Sequence, residues 1–316
     1  MIMNRRHFIQ NISTGALLVG AGNFPLEALA SCKSEIVKLT ILHTNDVHSR
    51  IDPFPMDGGR NQGLGGVSRR ATLIDRVRKQ EKNVLLFDAG DIFQGTPYFN
   101  FYGGELEIKL MSAMGYDAGT IGNHDFDNGI EGLEKQLVNA NFPLLVANYD
   151  FSNTVMKGKT QPYKIFKKQG IKIGVFGIGI MLDGLVTKSL YKETVYQDPL
   201  SKANETAAFL RNEAKCDYVI CLSHLGYEYS KPNEKERPSD VRLAQNSRDI
   251  DLIIGGHTHT FMDKPNILKN LDGKPCIVNQ VGFAGIMLGR VDVFFERTKA
   301  SRCESCQNLW IGKEKN

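Results

Sequence analysis

The chain has no run of basic residues. Its 39 Lys and Arg stand against 35 Asp and Glu, a formal charge of +4, and they are dispersed along 316 residues. An electrostatic footprint for nucleic acid is therefore missing, whereas a phosphorylated small molecule would suit so mild a charge. No apolar stretch near the start has spanning length: residues 12–22 are too few and too polar. The six cysteines include one close pair, Cys303 and Cys306, with no second Cys or His pair to complete a zinc knuckle. A tail disulfide or two idle thiols is expected there, while Cys216 and Cys221 flank an apolar run and read as small core residues. What is present is ordinary for a globular protein: 41% hydrophobic and 23% charged residues, enough for one large α/β domain or two small ones.

The first thirty residues read as an address. Arg5-Arg6 and Phe8 precede the modest apolar stretch, the n-region and h-region of an export signal. The pair fits a twin-arginine signal or a Sec signal that happens to hold two arginines. Gly15, Gly20, Gly22 and Pro25 argue against a buried helix. Two cleavage readings are open: Ala28-Leu29-Ala30 is a small-x-small site, and Leu29-Ala30-Ser31-Cys32 looks like a bacterial lipobox with Cys32 lipidated. With Cys32 lipidated, five cysteines remain, an odd number that cannot all pair within one chain. Either way the protein is expected outside the cytoplasm, periplasmic or lipid-anchored at the cell envelope, with the membrane reached only through a lipid on Cys32.

Strand-like and helix-like runs then alternate. Residues 37–44 alternate apolar and polar as a half-buried strand does. Val67, Ala71, Ile74 and Val77 have the spacing of one helix face. Further strands are expected at residues 83–88, 118–121, 144–147, 163–168, 171–178, 218–222, 252–254, 276–281 and 287–295, the last finishing the fold. Helices are expected at 105–114, 130–139, 199–215 and 241–246. Such alternation argues for layered sheets covered by helices. The polar motifs each follow a strand: Asn45-Asp46, Ala89-Gly90-Asp91, Gly122-Asn123-His124, Ser223-His224 and Gly255-Gly256-His257. Ligand crevices of α/β sheets lie at the carboxyl ends of strands, so these motifs are placed to assemble one site.

Of seven histidines, five fall in these motifs: His48, His124, His224, His257 and His259. A single loop histidine is usually inert, but five beside Asp46, Asp91 and Asn123 form a set that scatter does not explain. Carboxylate and amide oxygens mixed with imidazoles suit Mn, Zn, Fe or similar divalent ions.

Asp46-Val47-His48, Gly90-Asp91-x-x-Gln94-Gly95, Gly122-Asn123-His124-Asp125-Phe126-Asp127, Ser223-His224-Leu225-Gly226 and Gly255-Gly256-His257-Thr258-His259 together resemble, in order, the motifs of the calcineurin-like metallophosphoesterases. The Gly-Asn-His-Asp-Phe-Asp form and Gly65-Gly66-Val67-Ser68-Arg69-Arg70-Ala71-Thr72-Leu73-Ile74 are similar to the 5′-nucleotidase branch. The resemblance runs from about Val37 to Phe295. It implies an α/β (α+β) fold, a four-layer β-sandwich flanked by helices, carrying two divalent metals. Asp46, His48, Asp91 and His259 would hold the first ion; Asp91, Asn123, His224 and His257 would hold the second, with Asp91 bridging. The implied chemistry is attack of a metal-activated water on phosphorus. His124, beyond the metals, would protonate the leaving oxygen or steady the transition state, with Asp127 orienting its other nitrogen; Asp125 would brace the loop. The expected organisation is an export signal at residues 1–31, a catalytic domain at 32–297 and a polar tail at 298–316.

Most 5′-nucleotidases of this kind carry a second, C-terminal domain that supplies base-stacking aromatics and arginines, and residues after Phe295 offer no counterpart. Three explanations are open: a separate C-terminal-type polypeptide that docks over the cleft, a lone domain of low selectivity, or contacts from residues 52–63 or 226–238. Phe93, Tyr98, Phe99, Phe101 and Tyr102 could stack on a base or simply pack a wall. The expected substrate is a nucleoside 5′-monophosphate or related nucleotide. Alternatives are a 2′,3′-cyclic phosphodiester, another phosphoester or a sulfur-linked ester; from a different class, the chain could be a metal-binding subunit of a split nucleotidase without activity of its own.

Overall fold

The computed structural model describes residues 36–231, 234, 236–296 and 301–312. The expected export signal and Cys32 therefore lie outside the described residues.

Two sheets form the centre. The first contains β1 (Ile36–Thr44), β2 (Val84–Asp88), β3 (Ala118–Gly119), β12 (Met287–Glu296) and β13 (Ser301–Trp310), in the order β13-β12-β1-β2-β3. The second contains β5 (Tyr163–Lys168), β6 (Ile171–Ile178), β8 (Tyr218–Ser223), β9 (Leu252–Gly255), β10 (Asn266–Lys269) and β11 (Pro275–Asn279), in the order β10-β11-β9-β8-β6-β5. A small ribbon pairs β4 (Tyr149–Asp150) with β7 (Val195–Tyr196). The helices are α1 (Val67–Gln80), α2 (Pro97–Tyr102), α3 (Glu105–Met114), α4 (Gly129–Gln136), α5 (Lys188–Tyr191), α6 (Pro199–Ala208) and α7 (Asp240–Gln245).

Alternation along the strands decides the layers. Leu39, Ile41, Leu85, Phe87, Val291 and Val293 of the first sheet pack with Ile173, Val175, Ile220, Leu222, Leu252 and Ile254 of the second. The opposite faces are covered by helices. Leu42, Leu86 and Leu288 meet Ile74 and Val77 of α1 and Ile108 and Met111 of α3. Phe176, Val219, Cys221 and Ile253 meet Ala203 and Ala207 of α6 and Leu243 of α7. This is the four-layer sandwich flanked by helices, with Cys216 and Cys221 in the core as expected.

The fold presents one rim. β1, β2 and β3 run parallel, as do β6, β8, β9 and β11. Thr44 pairs with Asp88, Asp88 with Gly119, and Ser223 with Gly255, so the carboxyl ends are level and each polar motif leaves from there.

Several elements differ from the sequence expectation. Residues 144–147 form only isolated bridges, Leu144 to Gly119 and Leu145 to Gln161. Helix α6 passes into a wider π turn at Phe209–Glu213 instead of continuing. The fold does not finish at Phe295, because β13 adds ten antiparallel pairs to β12. Cys306, on this strand, is a free thiol.

Candidate metal centre

Backbone conformation sets the site before side chains do. Twelve non-glycine residues among those described have positive φ, and five are Asp46, His48, Asp91, His257 and His259. Each such residue costs of order 1–3 kcal/mol and persists only where its surroundings over-determine it. Here the turn after β1 is clamped to the turn after β2: Asp46, His48 and Ser49 donate their N–H groups to Gly90, Asp91 and Ile92 carbonyls at 2.9–3.0 Å.

Asp125 locks the next turn. Its Oδ1 accepts from Ile92 and Phe93 N–H, and its Oδ2 from Asp91 and Gly122 N–H, at 2.7–3.1 Å. Burial, with the nearby Asp91 charge, nevertheless pushes its pKa up to about 7. The bracing role expected for Asp125 is what these four bonds perform. Glycine is required beside it: a Cβ on Gly122 would stand 2.2 Å from Asp91 Oδ1 and 2.7 Å from His224 Cε1.

The structure brings all seven expected ligands together. Ligand atoms of Asp46, His48, Asp91 and His259 lie within 4.8 Å of one another, as do those of Asp91, His224 and His257. Asn123 Oδ1 sits 2.8 Å from His257 Nδ1. His48 Nε2 faces His259 Nε2 at 2.9 Å, with Asp46 Oδ1 3.5 Å from the latter. His224 donates Nδ1–H to the Ala89 carbonyl at 2.7 Å, which turns its Nε2 toward Asp91 Oδ2 at 3.1 Å without hydrogen-bonding geometry. Ligand atoms converging on the carboxylates of Asp46 and Asp91, one of them a fully buried and unpartnered nitrogen, fit a cation between them.

The electrostatics point the same way. Burial opposes charge on His224, yet Asp91 and Asp46 outweigh it and push its pKa up to about 10. Burial would raise Asp91, but His224, His48 and His124 hold it below the usual carboxylate range. Burial, aided by His224, pushes His257 down to about 3, and burial also lowers His48. His48 and His257 are thus held in the neutral form that binds divalent ions, whereas an ion binding at His224 must displace the proton that Asp91 and Asp46 favour there.

His124 stands apart. Its N–H donates to Asp91 Oδ1 at 2.8 Å, and its Nδ1 contacts Asp127 Oδ2 at 2.8 Å. The Asp127 hydrogen bond raises its pKa. The His124 side chain is 39% exposed and that of His259 41%, while His224 is fully buried, so the centre opens on the side of His124 and His259.

Sequence reasoning missed several supporting residues. Gln280 Nε2 donates to Asp240 Oδ2 and to the Gly256 carbonyl, and its Oε1 accepts from Thr260 N–H at 3.1 Å. Asp240 also accepts from Ser223 Oγ at 2.6 Å, and burial pushes its pKa up to about 7. Phe283 stacks on His259 with ring centres 5.2 Å apart. Asn279 ends β11, which runs parallel to β9, and Gln280 leaves the strand on the same rim. Among the aromatics considered for base stacking, Phe93 and Phe99 are buried against each other, whereas Phe101 and Tyr102 are exposed.

Comparison with known proteins agrees with this geometry. Residues 39–261 match the family model described as calcineurin-like phosphoesterase, and the chain belongs to that family. Within it the chain is 5′-nucleotidase-like. It is 35% identical over 301 residues to a snake venom 5′-nucleotidase of Gloydius brevicauda, covering 89% of this chain and 49% of that protein. Over 264 residues it is 37% identical to a 5′-nucleotidase of Vibrio cholerae, covering 80% and 46% respectively. The solved structure of a 5′-nucleotidase precursor from Thermus thermophilus superposes with a TM-score of 0.77 at 32% identity, covering 87% of this chain and 55% of that one. The chain thus spans about half the length of these relatives.

Proposed function

We propose that the chain hydrolyses phosphomonoester bonds of nucleoside 5′-monophosphates or related nucleotides at a centre of two divalent ions. The observation that carries this reading is the single buried carboxylate of Asp91 shared by both ligand groups. Asp46, His48, Asp91 and His259 hold one ion; Asp91, Asn123, His224 and His257 hold the other. Ions in such a shared site supply a nucleophilic water near neutral pH and charge stabilisation for phosphoryl oxygens. The chain's own work is positional. Asp125 and the clamped turns keep the ligands in a strained arrangement. Asp127 engages His124 Nδ1 and leaves Nε2–H, on the open side, to protonate the leaving oxygen.

Selectivity for the nucleoside we assign to a separate polypeptide that closes over His124 and His259. Support comes from the exposure of those two rings. Export belongs to the same reading and rests on Arg5-Arg6 and the Leu29-Ala30-Ser31-Cys32 sequence. Fatty-acid labelling that vanishes in Cys32→Ala supports the lipid anchor, and labelling unchanged by that substitution removes it.

The test is hydrolysis of AMP, UDP-glucose, 2′,3′-cyclic AMP and an aryl phosphate with Mn²⁺, before and after chelation. Chelator-sensitive turnover of AMP or the aryl phosphate supports the reading. Cyclic AMP as the sole substrate would shift it to phosphodiester chemistry, and no turnover of any substrate, alone or with a co-purified partner, would sink it.

A further inference from the structure

The Gly65–Ile74 motif takes no part in the centre just described, yet it carries a deeply placed cation. Arg70 lies on the buried face of α1 with Ile74 and Val77, and is only 3% exposed. Among the described residues its Nε has no hydrogen-bond partner. Gly285 presses on the guanidinium: a Cβ there would stand 2.2 Å from Arg70 Nη1. Glu107 of α3 is 4% exposed, and it spends Oε1 on Ser49 Oγ while Oε2 has no partner among the described residues. Both side chains line one cavity, with Val47, Ile92, Met111 and Tyr116, in which about 10 Å³ is open to the centre of a water molecule.

A buried donor on a cation and a buried acceptor on an anion are costly while unpaired. Their shared space is close to what one water needs by this measure, about 10–15 Å³. An anion there would face the Glu107 carboxylate, and a metal cation would face the Arg70 guanidinium. Water alone can accept from one and donate to the other.

We propose that this cavity is a built site for one ordered water, which accepts from Arg70 Nε and donates to Glu107 Oε2, and that the bridged pair positions the His48-Ser49 turn from behind. Ser49 is the link: its hydroxyl bonds Glu107, while Thr96 Oγ1 donates to its carbonyl at 2.7 Å. The same cation reaches the neighbouring turn, since Asp88, pushed up to about 7 by burial and drawn back by Arg70 among others, accepts from Gly90 N–H. The water site stands on the cavity alone; only the positioning role rests on His48 being a ligand.

A high-resolution crystal structure of the unaltered protein tests the site. Density for a water about 3 Å from both atoms is expected; direct contact of the two side chains, or a cavity without density, overturns it. Mn²⁺ titration by calorimetry tests the positioning. Glu107→Gln should weaken binding about 10-fold. Arg70→Met should act in the same direction, and the double variant should lose less than the two single losses combined. Unchanged Mn²⁺ binding in all three overturns the positioning role. Chelator-sensitive hydrolysis by the unaltered chain would in that case still uphold the proposed function.

Discussion

His224 Nε2 lies 3.1 Å from Asp91 Oδ2, and both side chains are buried. The opposite nitrogen of the ring is committed to the Ala89 carbonyl, so once an ion displaces the Nε2 proton this ring offers one lone pair in one direction. Chelation should therefore abolish hydrolysis, and Mn²⁺ should restore it. In His224→Ala, elemental analysis should find one ion per chain where the unaltered protein holds two, with hydrolysis reduced at least ~100-fold. Full metal content in that variant would remove His224 from the ligand set.

Gly122 leaves no space for a side chain between Asp91 and His224. Gly122→Ala must displace one of them, and the Asp91 N–H lies 2.5 Å from the added carbon as well. Mn²⁺ affinity should fall at least about 10-fold. A variant that binds Mn²⁺ as the parent does would mean that the turns are softer than their hydrogen bonds imply.

His124 and Asp127 separate chemistry from metal holding. His124→Ala should retain its ions but lose about 100- to 10,000-fold in kcat, the range of a missing proton donor. Asp127→Asn keeps a hydrogen-bond acceptor and should lose less, with KM nearly unchanged. Ion loss in His124→Ala would instead make it part of the metal shell.

Much of this site was readable before the fold. Asp46, His48, Asp91, Asn123, His224, His257 and His259 each follow a strand, and strand ends on one rim must meet. Helix α3 has the expected limits, and α1 carries the expected face, with Ile74 and Val77 buried. Less was visible in β13, whose sequence SRCESCQNLW is mostly polar because it forms the sheet's edge. β3 is a two-residue strand, and its longer apolar run, through Ile121, is buried for other reasons than pairing. Gln280 and Asp240 were invisible for a different cause. Their role depends on hydrogen bonds between loops far apart in sequence, which no local pattern carries.

Acid stability depends on groups outside the centre. His43 is fully buried in β1, its Nε2 accepts from Asn279 Nδ2, and burial pushes its pKa down to about 3. The folded chain leaves it neutral while the unfolded chain protonates it near 6.5, so its contribution is present above pH 6.5 and lost as pH falls toward 3. Asp88 and Asp240, pushed up to about 7, act oppositely and favour the folded state as pH falls from 7 toward 4. The total slope mixes both signs, so the variant is the test. In metal-free protein, His43→Asn should remove roughly 1 kcal/mol per pH unit of acid sensitivity between pH 6 and 4. Denaturant midpoints with the same pH slope in both proteins would show that His43 does not carry it.

Gln280 joins what the two turns of the second sheet need. Its amide N–H₂ holds the Asp240 carboxylate at 3.0 Å and the Gly256 carbonyl at 2.8 Å, and its oxygen takes the Thr260 N–H. Asp240 in turn holds Ser223, the neighbour of His224. One carboxamide thus ties the His224 turn to the residues flanking His257 and His259. A carboxylate at this position has the same shape but no donor, and would confront Asp240 and the Gly256 carbonyl with like polarity. Gln280→Glu should therefore weaken Mn²⁺ binding about 10- to 100-fold, as lost outer-shell support does. Gln280→Leu removes the clash yet leaves the Gly256 carbonyl, the Thr260 N–H and Asp240 short of partners, at about 1–3 kcal/mol for each buried group. It should lose folding stability more than metal affinity. If the two variants were to lose affinity and stability in equal proportion, Gln280 would be packing rather than a tie between the turns.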